Sequence, residues 1–304
     1  MSKKILYFVY SVVALLLLFL ITSLNNKTNT EYIDFKDTVN INENYSIPED
    51  IVTIGIISVT GGNKGYVSEK ELVSYIGKKL NKKVKLVQKK SYKEINTLLK
   101  NNQIDIAFLS TGAYSLYEDK KDLELIARPN RGKAYYHPII ITRKDSEIED
   151  FEELKDKNFA FVDNYSYSGY LAVNNYFKQQ NTTINKFFNN KYYFTYSHED
   201  SIKQVLSGAV YAASIDDWAL QNLANEDSNI KDNIKVIKIF PEVATGPVVT
   251  HKNYKDKEKL KNILFNIDKD STIKAVLERL QIKNFEDTKI EDYPTLLEEV
   301  KDVR

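Results

Sequence analysis

Residues 104–114 read IDIAFLSTGAY, an almost wholly apolar run that ends in small and hydroxyl-bearing residues. A short apolar run bounded by turn residues is typical of a strand buried on both faces. Ser110, Thr111 and Gly112 then favour a turn into a helix, because serine caps helix starts and glycine allows close backbone approach. The stretch therefore predicts a buried strand that leads directly into a helix, the repeating unit of α/β sheets.

The same unit recurs along most of the chain. Apolar runs predict strands at 51–56, 84–87, 104–109, 123–127, 138–142, 159–162, 192–196, 210–215, 234–240 and 248–250. Capping boxes at 68–71 and 91–94 predict helix starts, with 61–65 as a loop before the first. Further helices are predicted at 151–154, from 166, around 202, and at 256–267, 272–280 and 294–303. Strands that alternate with helices imply a mostly parallel sheet whose ligands bind beyond the carboxyl ends of the strands.

Length and composition exclude several classes of protein. The chain has 304 residues, enough for roughly two domains at about 150 residues each. Its 43 Lys and Arg against 42 Asp and Glu provide no basic surplus for a nucleic-acid partner. It has no cysteine, so disulfides, thiolate metal sites and cysteine nucleophiles are excluded. With 3 histidines and no recognisable catalytic motif, we expect no metal, no cofactor and no enzyme activity.

The amino terminus predicts export. Residues 1–24 comprise a basic head and an uncharged apolar run at 5–21, which as a helix would reach ~25 Å. Lysines ahead of the run favour a cytoplasmic amino end. We interpret residues 1–24 as an uncleaved signal anchor, with a cleaved signal peptide and a buried core helix as alternatives. Residues 25–50 are interpreted as a polar tether.

Two predicted helix starts could bind an anion. At 166–169 the sequence Ser-Tyr-Ser-Gly places the hydroxyls of Ser166 and Ser168 where unpaired N–H groups and the positive helix end lie. The segment 110–114 repeats this arrangement in the other half of the chain. The alternatives are simple helix capping at the first segment and a tight turn with a packed Tyr114 at the second.

Three further segments follow predicted strands or helix starts. His198 could donate to an anionic oxygen, although a lone histidine is more often a surface or capping residue. Asp216 and Asp217 could accept from a protonated ligand oxygen or an amine, or could cap the next helix. Tyr92 could face a ligand or only the core edge. No nucleophile partner for His198 is evident in the sequence.

Eight segments, taken in order, resemble the phosphate, phosphite and phosphonate-binding proteins of ABC importers. The most specific are NQIDIAFL at 102–109 and SYSGY at 166–170. The others are residues 83–94, 126–129, 139–146, 159–163, 197–199 and 215–218. The resemblance covers roughly residues 51–266.

The resemblance implies an α/β, two-lobed type II periplasmic-binding-protein fold that follows an N-terminal transmembrane or signal-anchor helix. Lobe 1 would hold residues 51–137 plus 241–304, and lobe 2 residues 138–240, with a ligand cleft between them. The ligand-binding residues carried over one at a time are Tyr92, Tyr114, Ser166, Tyr167, Ser168, His198, Asp216 and Asp217. Three positions depart from the family: Tyr167 replaces a threonine, Tyr211 an aspartate, and the lipid-bearing cysteine is missing.

The function expected from this resemblance is that of an extracytoplasmic solute-binding protein. Its partners would be a small phosphorus oxyanion (phosphonate, phosphite or phosphate), an ABC permease, and the membrane through the N-terminal helix. We expect a monomer at the extracytoplasmic face of the cell membrane. A membrane-anchored sensory receptor with the same fold is the alternative, and an enzyme on this fold is less favoured because the chain is exported.

Overall fold

A computed structural model describes residues 51–57, 62–89 and 91–296. Thirteen strands are numbered here in chain order: β1 Ile51–Ile57, β2 Lys83–Lys89, β3 Ile106–Phe108, β4 Leu123–Asn130, β5 Tyr135–Tyr136, β6 Pro138–Arg143, β7 Phe159–Phe161, β8 Tyr192–Phe194, β9 Ala212–Asp216, β10 Ile234–Ile239, β11 Val243–Ala244, β12 Val248–His251 and β13 Asn284–Glu286. The α-helices are α1 Gly62–Leu80, α2 Tyr92–Lys100, α3 Thr111–Ser115, α4 Ala172–Gln179, α5 Ile184–Phe188, α6 His198–Leu206, α7 Asp217–Glu226, α8 Ser228–Asn233, α9 Lys257–Phe265 and α10 Lys274–Arg279.

The strands form two main sheets and a small third one. The first sheet has the order β13-β4-β12-β3-β1-β2, and the second has the order β10-β6-β9-β7-β8. We call the first sheet with its helices lobe 1, and the second with its helices lobe 2. The third sheet pairs β5 with β11, antiparallel, so both chain crossings between the lobes lie side by side.

The expectation of mostly parallel sheets was wrong, because both sheets are mixed. In lobe 1, β1 runs parallel to β2 and β3, whereas β12 runs antiparallel to β3 and β4. In lobe 2, β7 runs parallel to β8 and β9, whereas β6 runs antiparallel to β9 and β10. The reason lies in the crossings: β6 and β12 each begin at a crossing, so each enters its new sheet in the reverse direction.

The start of α1 also differs from the prediction. The helix begins at Gly62, in the segment predicted as a loop, and the expected cap Ser68 lies inside it. There the Ser68 hydroxyl accepts a hydrogen bond from the Arg279 guanidinium at 3.0 Å, which ties α1 to α10. The start of α2 after Ser91 is as predicted, but the Ser91 side chain makes no capping hydrogen bond.

Lobe 2 has an unusually aromatic core. The Phe161 ring is fully buried and lies 4.7 Å from the Phe159 ring and 5.1 Å from the Tyr170 ring, between centroids. Phe151, Phe177 and Phe188 belong to the same cluster. These rings pack β7 against the helix that follows the turn at 166–169, which fixes that turn above the end of the sheet.

We expect Phe161→Ala to lower the free energy of unfolding by about 3–5 kcal/mol, because it leaves a cavity among close-packed rings. Urea unfolding measures the loss. Ile239→Ala, at a side chain that is 64% exposed, is the matched control and should change stability by less than about 0.5 kcal/mol. A loss below about 1 kcal/mol for Phe161→Ala would contradict this account of the core.

Several predictions fall on residues that are not described. The predicted anchor at 5–21 and the tether at 25–50 lie outside the described residues, as does most of the helix predicted at 294–303. Residues 294–296 are described and are not helical. Among the helices of residues 51–57, 62–89 and 91–296, none is both long and apolar enough to cross a membrane.

Candidate functional site

A cleft of about 410 Å³ lies beside the crossing strands and is lined by residues of both lobes. It opens at the carboxyl ends of β3, β7 and β9, the edge at which α/β sheets bind ligands. Seven of the eight predicted ligand-binding residues line it: Tyr92, Ser166, Tyr167, Ser168, His198, Asp216 and Asp217.

Tyr114 is the exception, because its side chain turns into the core of lobe 1. It is 1% exposed, and its ring packs edge-on against the Tyr293 ring with centroids 4.7 Å apart. It is not among the residues that line the cleft. Ser110 and Thr111 line the cleft at the start of α3, whereas Tyr114 belongs to the buried core cluster of lobe 1. This matches the tight turn with a packed tyrosine that was the alternative.

The turn at 166–169 places two hydroxyls at the cleft. The Ser166 hydroxyl accepts a hydrogen bond from the Gly169 N–H at 3.1 Å, so this serine caps the π-helical turn Tyr167–Leu171 that leads into α4. Its own proton stays available for a second acceptor, because a hydroxyl both donates and accepts. Ser168 is 2% exposed, and its carbonyl accepts a hydrogen bond from Ser214 at 2.6 Å, which fixes the turn to β9. Capping and anion binding are therefore compatible at this turn.

His198 and Asp216 form a buried pair at the wall of lobe 2. Tyr196, in the left-handed region with φ 59°, makes the sharp turn that brings His198 to the start of α6. The His198 Nδ1 atom lies 3.4 Å from the Asp216 N–H, and the Nε2 atom lies 3.4 Å from an Asp216 carboxylate oxygen. If Nδ1 accepts, the ring proton is on Nε2, the nitrogen on the Asp216 side.

Asp217 faces a different neighbour. Its carboxylate accepts a hydrogen bond from the His137 N–H at 3.0 Å and lies 3.2 Å from the His137 ring Nδ1. His137 stands between β5 and β6, so this contact ties α7 to one of the crossing strands. Asp216, by contrast, caps α7 through the Ala219 N–H with one oxygen and keeps the other beside His198.

Two buried tyrosine hydroxyls complete this end of the cleft. Burial raises the pKa of both Tyr92 and Tyr136, so both remain protonated hydrogen-bond donors at neutral pH. The Tyr136 hydroxyl interacts with Thr111 and Ser168, and the Tyr92 hydroxyl interacts with Ser166. The sequence reasoning missed Tyr136, because β5 has only two residues and carries no periodic signal.

The positively charged side chain of Arg131 also lines the cleft, and the sequence did not predict it as a site residue. The Arg131 guanidinium lies 4.2 Å from the centre of the Trp218 ring and donates to the Leu280 carbonyl, so it joins α7 of lobe 2 to the end of α10 in lobe 1. Burial lowers the pKa of Arg131 to about 10, which leaves it charged at neutral pH. In the part of the chain that the structure describes, no three metal-ligating side chains come together. The cleft therefore has the charge and donors for a small anion.

Comparison with known proteins places this cleft in a family. The family model described as "ABC transporter, phosphonate, periplasmic substrate-binding protein" matches residues 54–293. A protein of Prochlorococcus marinus named "Probable ABC transporter phosphite binding protein PhnD1" is 26% identical over 160 residues. That alignment covers 50% of this chain and 54% of the relative, so it spans about half of each protein.

Solved structures show the same fold. The binding protein component of a Pseudomonas aeruginosa ABC phosphonate transporter matches with a TM-score of 0.71 and 24% identity, covering 80% of this chain and 82% of that one. Prochlorococcus marinus PhnD1, solved in complex with methylphosphonate, matches with a TM-score of 0.71 and 20% identity, covering 80% and 94%. These likenesses confirm the two-lobed, type II periplasmic-binding-protein fold. The family match extends over most of the described residues, and the chain belongs to the phosphonate-binding family of periplasmic substrate-binding proteins of ABC transporters.

Proposed function

We propose that this chain binds a small phosphorus oxyanion, a phosphonate, phosphite or phosphate, and delivers it to an ABC permease without chemical turnover. The observation that carries the proposal is the convergence of the Ser166–Ser168 turn, His198, Asp216 and Tyr136 on one cleft between two lobes. A cleft that offers directed hydroxyl and N–H donors can hold an oxyanion in a chain with a net charge of only +1.

Six of the eight predicted residues have a role at the ligand in this proposal. Ser166, Ser168 and the N–H groups of their turn donate to the oxyanion, with Tyr167 beside them as the bulky substitute for a threonine. Tyr92 donates from lobe 1, and His198 donates from lobe 2 through Nε2. We assign the accepting carboxylate to Asp216, because Asp217 is engaged by His137. Tyr114 has no direct role, because its side chain packs in the core.

The lobes are proposed to close on the ligand by rotation about the crossing strands. The division of the strands between the two sheets supports the lobe boundaries, which are 51–137 plus 241–304 for lobe 1 and 138–240 for lobe 2. Closure excludes water, which strengthens hydrogen bonds to a charged ligand.

We further propose that residues 1–24 hold the protein, as a monomer, at the extracytoplasmic face of the membrane. The support is the apolar run at 5–21 behind two lysines, together with the absence of any cysteine that could carry a lipid. Alkaline carbonate extraction of membranes tests the anchor. An anchored chain stays in the membrane pellet, whereas a cleaved chain appears in the supernatant with a lower molecular mass.

The ligand is tested by calorimetry on the full chain in mild detergent. The probes are phosphate, phosphite, methylphosphonate and aminoethylphosphonate, with sulfate as the control anion of similar shape. We expect tight binding of at least one phosphorus oxyanion. If none of the four binds or raises the melting temperature, the ligand assignment is wrong, even though the fold stands.

Ser168→Ala and His198→Ala should each weaken the binding of that probe by about 1.5–3 kcal/mol, the usual value of a hydrogen bond to a charged group. Titration calorimetry measures the change. Ser207→Ala, at an exposed serine after α6 in the same lobe, is the matched control and should bind like the wild type. Unchanged affinity in both cleft variants would remove these residues from the site.

A further inference from the structure

Asp163 joins the two lobes, although the function proposed above gives it no role. It follows β7 in lobe 2 and is fully buried. One carboxylate oxygen accepts a hydrogen bond from the Tyr165 N–H at 2.7 Å, within its own turn. The other oxygen lies 3.4 Å from the Tyr92 N–H, which belongs to lobe 1. A single carboxylate thus contacts the backbone on both sides of the cleft.

The partner in lobe 1 is the unsatisfied start of a helix. Tyr92 is the first residue of the nine-residue helix α2, and the preceding Ser91 has extended backbone but makes no side-chain capping hydrogen bond. A helix start has free N–H groups and a partial positive charge, and both favour a carboxylate. Asp163 therefore occupies the position that a capping side chain of lobe 1 would normally take.

The same region holds a close backbone contact between the lobes. A Cβ atom on Gly112 of α3 would lie 2.2 Å from the Tyr165 carbonyl oxygen and 2.6 Å from the Tyr167 nitrogen. The Asp163 carbonyl also accepts a hydrogen bond from the Ser166 N–H at 2.9 Å, so Asp163 sets the start of the turn that carries Ser166 and Ser168.

We propose that Asp163 is a positioning residue that caps α2 across the cleft and so aligns Tyr92 with the Ser166–Ser168 turn when the lobes meet. The effect of Asp163 on ligand affinity rests on the proposed binding function. The effect of Asp163 on the contact between the lobes is independent of that function. Burial raises the pKa of Asp163, and the N–H groups of Tyr165 and Tyr92 oppose that rise.

Charge and positioning predict opposite results for Asp163→Asn. A buried negative charge repels an anionic ligand, so its removal alone would tighten binding. An amide has only one acceptor oxygen, so one of the two N–H groups would then face an NH2 group. If positioning dominates, as we propose, Asp163→Asn weakens the binding of methylphosphonate at least tenfold.

A second variant, Ser91→Asp, leaves Asp163 intact and is expected to fold. Aspartate is a favoured N-cap, so α2 gains a capping carboxylate of its own. That carboxylate would then face Asp163 and disfavour the contact between the lobes. Asp227→Asn is the matched control, because Asp227 caps α8 within lobe 2, on the exposed surface, through the Asn229 N–H at 2.9 Å.

The contact between the lobes is measured without any added ligand. The chain has no cysteine, so Lys78→Cys in α1 and Gln179→Cys in α4, both exposed, give two unique spin labels on the full chain. Double electron–electron resonance should show the same distribution of label distances in the parent and in Asp227→Asn. Asp163→Asn and Ser91→Asp should both move the distribution to longer distances. Identical distributions in all four proteins overturn the proposal.

The affinity measurement separates the two proposals. Weaker methylphosphonate binding in both variants, with normal binding in Asp227→Asn, supports the positioning role. Tighter or unchanged binding in Asp163→Asn overturns it. If none of the four phosphorus oxyanions binds any of the proteins but the distances shift as expected, the ligand assignment fails and the role of Asp163 in joining the lobes stands.

Discussion

Gly112→Ala is expected to weaken binding of the phosphorus oxyanion by about 1–3 kcal/mol or more while both lobes remain folded. The added Cβ would lie 2.2 Å from the Tyr165 carbonyl oxygen and 2.6 Å from the Tyr167 nitrogen. Both atoms belong to the backbone of the other lobe, so neither can swing aside as a side chain can. The lobes themselves must move apart, and the cleft then loses the geometry in which both sides reach the ligand.

The measurement is titration calorimetry together with thermal unfolding of the ligand-free chain. Gly112 lies in helix α3, which tolerates alanine, so the melting temperature of the variant should stay near that of the parent. Ser115→Ala in the same helix is the matched control, because the buried Ser115 hydroxyl has no hydrogen-bond partner to lose among the described residues. Normal affinity in Gly112→Ala would mean that the lobes do not meet at this contact when ligand is bound.

Asp216→Asn is the second substitution with a large expected effect. It should reduce the dependence of ligand affinity on pH. A monoanionic phosphonate keeps one P–OH group, which can donate to the Asp216 carboxylate. A dianion has no proton to donate and would face that carboxylate directly. Wild-type affinity should therefore fall as pH rises through the second pKa of the ligand, which for a phosphate ester is about 6. The lost charge-assisted bond corresponds to about 1.5–3 kcal/mol.

The asparagine variant removes the negative charge of Asp216 without disturbing the fold. Asparagine is as good an N-cap as aspartate, so the bond to the Ala219 N–H and the start of α7 should survive. Its affinity should depend much less on pH. Phosphite and methylphosphonate lose their second protons at different pH values, so the fall in wild-type affinity should move with the ligand. A fall at the same pH for both ligands would assign it to a protein group and contradict this role for Asp216.

Much of the fold could be predicted because buried strands are short apolar runs, which the sequence displays directly. The turns after them could be predicted as a site for the same reason: carboxyl ends of strands meet at one edge, so residues far apart in the chain, such as Ser166 and His198, come to line one cleft. The eight segments that resemble the family supplied the ligand class, which strand and helix patterns alone do not contain.

The parts that could not be predicted depend on long-range geometry. Strand direction depends on where the chain crosses between lobes, so the reversed entry of β6 and β12 leaves no local signal. Tyr136 and Arg131 lie in or beside a crossing strand of two residues, too short for any period. Ser68 looked like a helix cap because its spacing to Glu71 is that of a capping box, yet its hydroxyl pairs with Arg279, 211 residues away in sequence.

The contact of Arg131 with Trp218 makes this tryptophan an intrinsic fluorescence probe of the cleft. Trp218 is the only tryptophan in the chain, it lines the cleft, and its ring lies against a cation from the other side of the crossing strands. Indole emission shifts and changes in intensity with the polarity and charge around the ring. Ligand entry and lobe closure should therefore change the intrinsic fluorescence of the unmodified chain, so that binding can be followed in real time without a label.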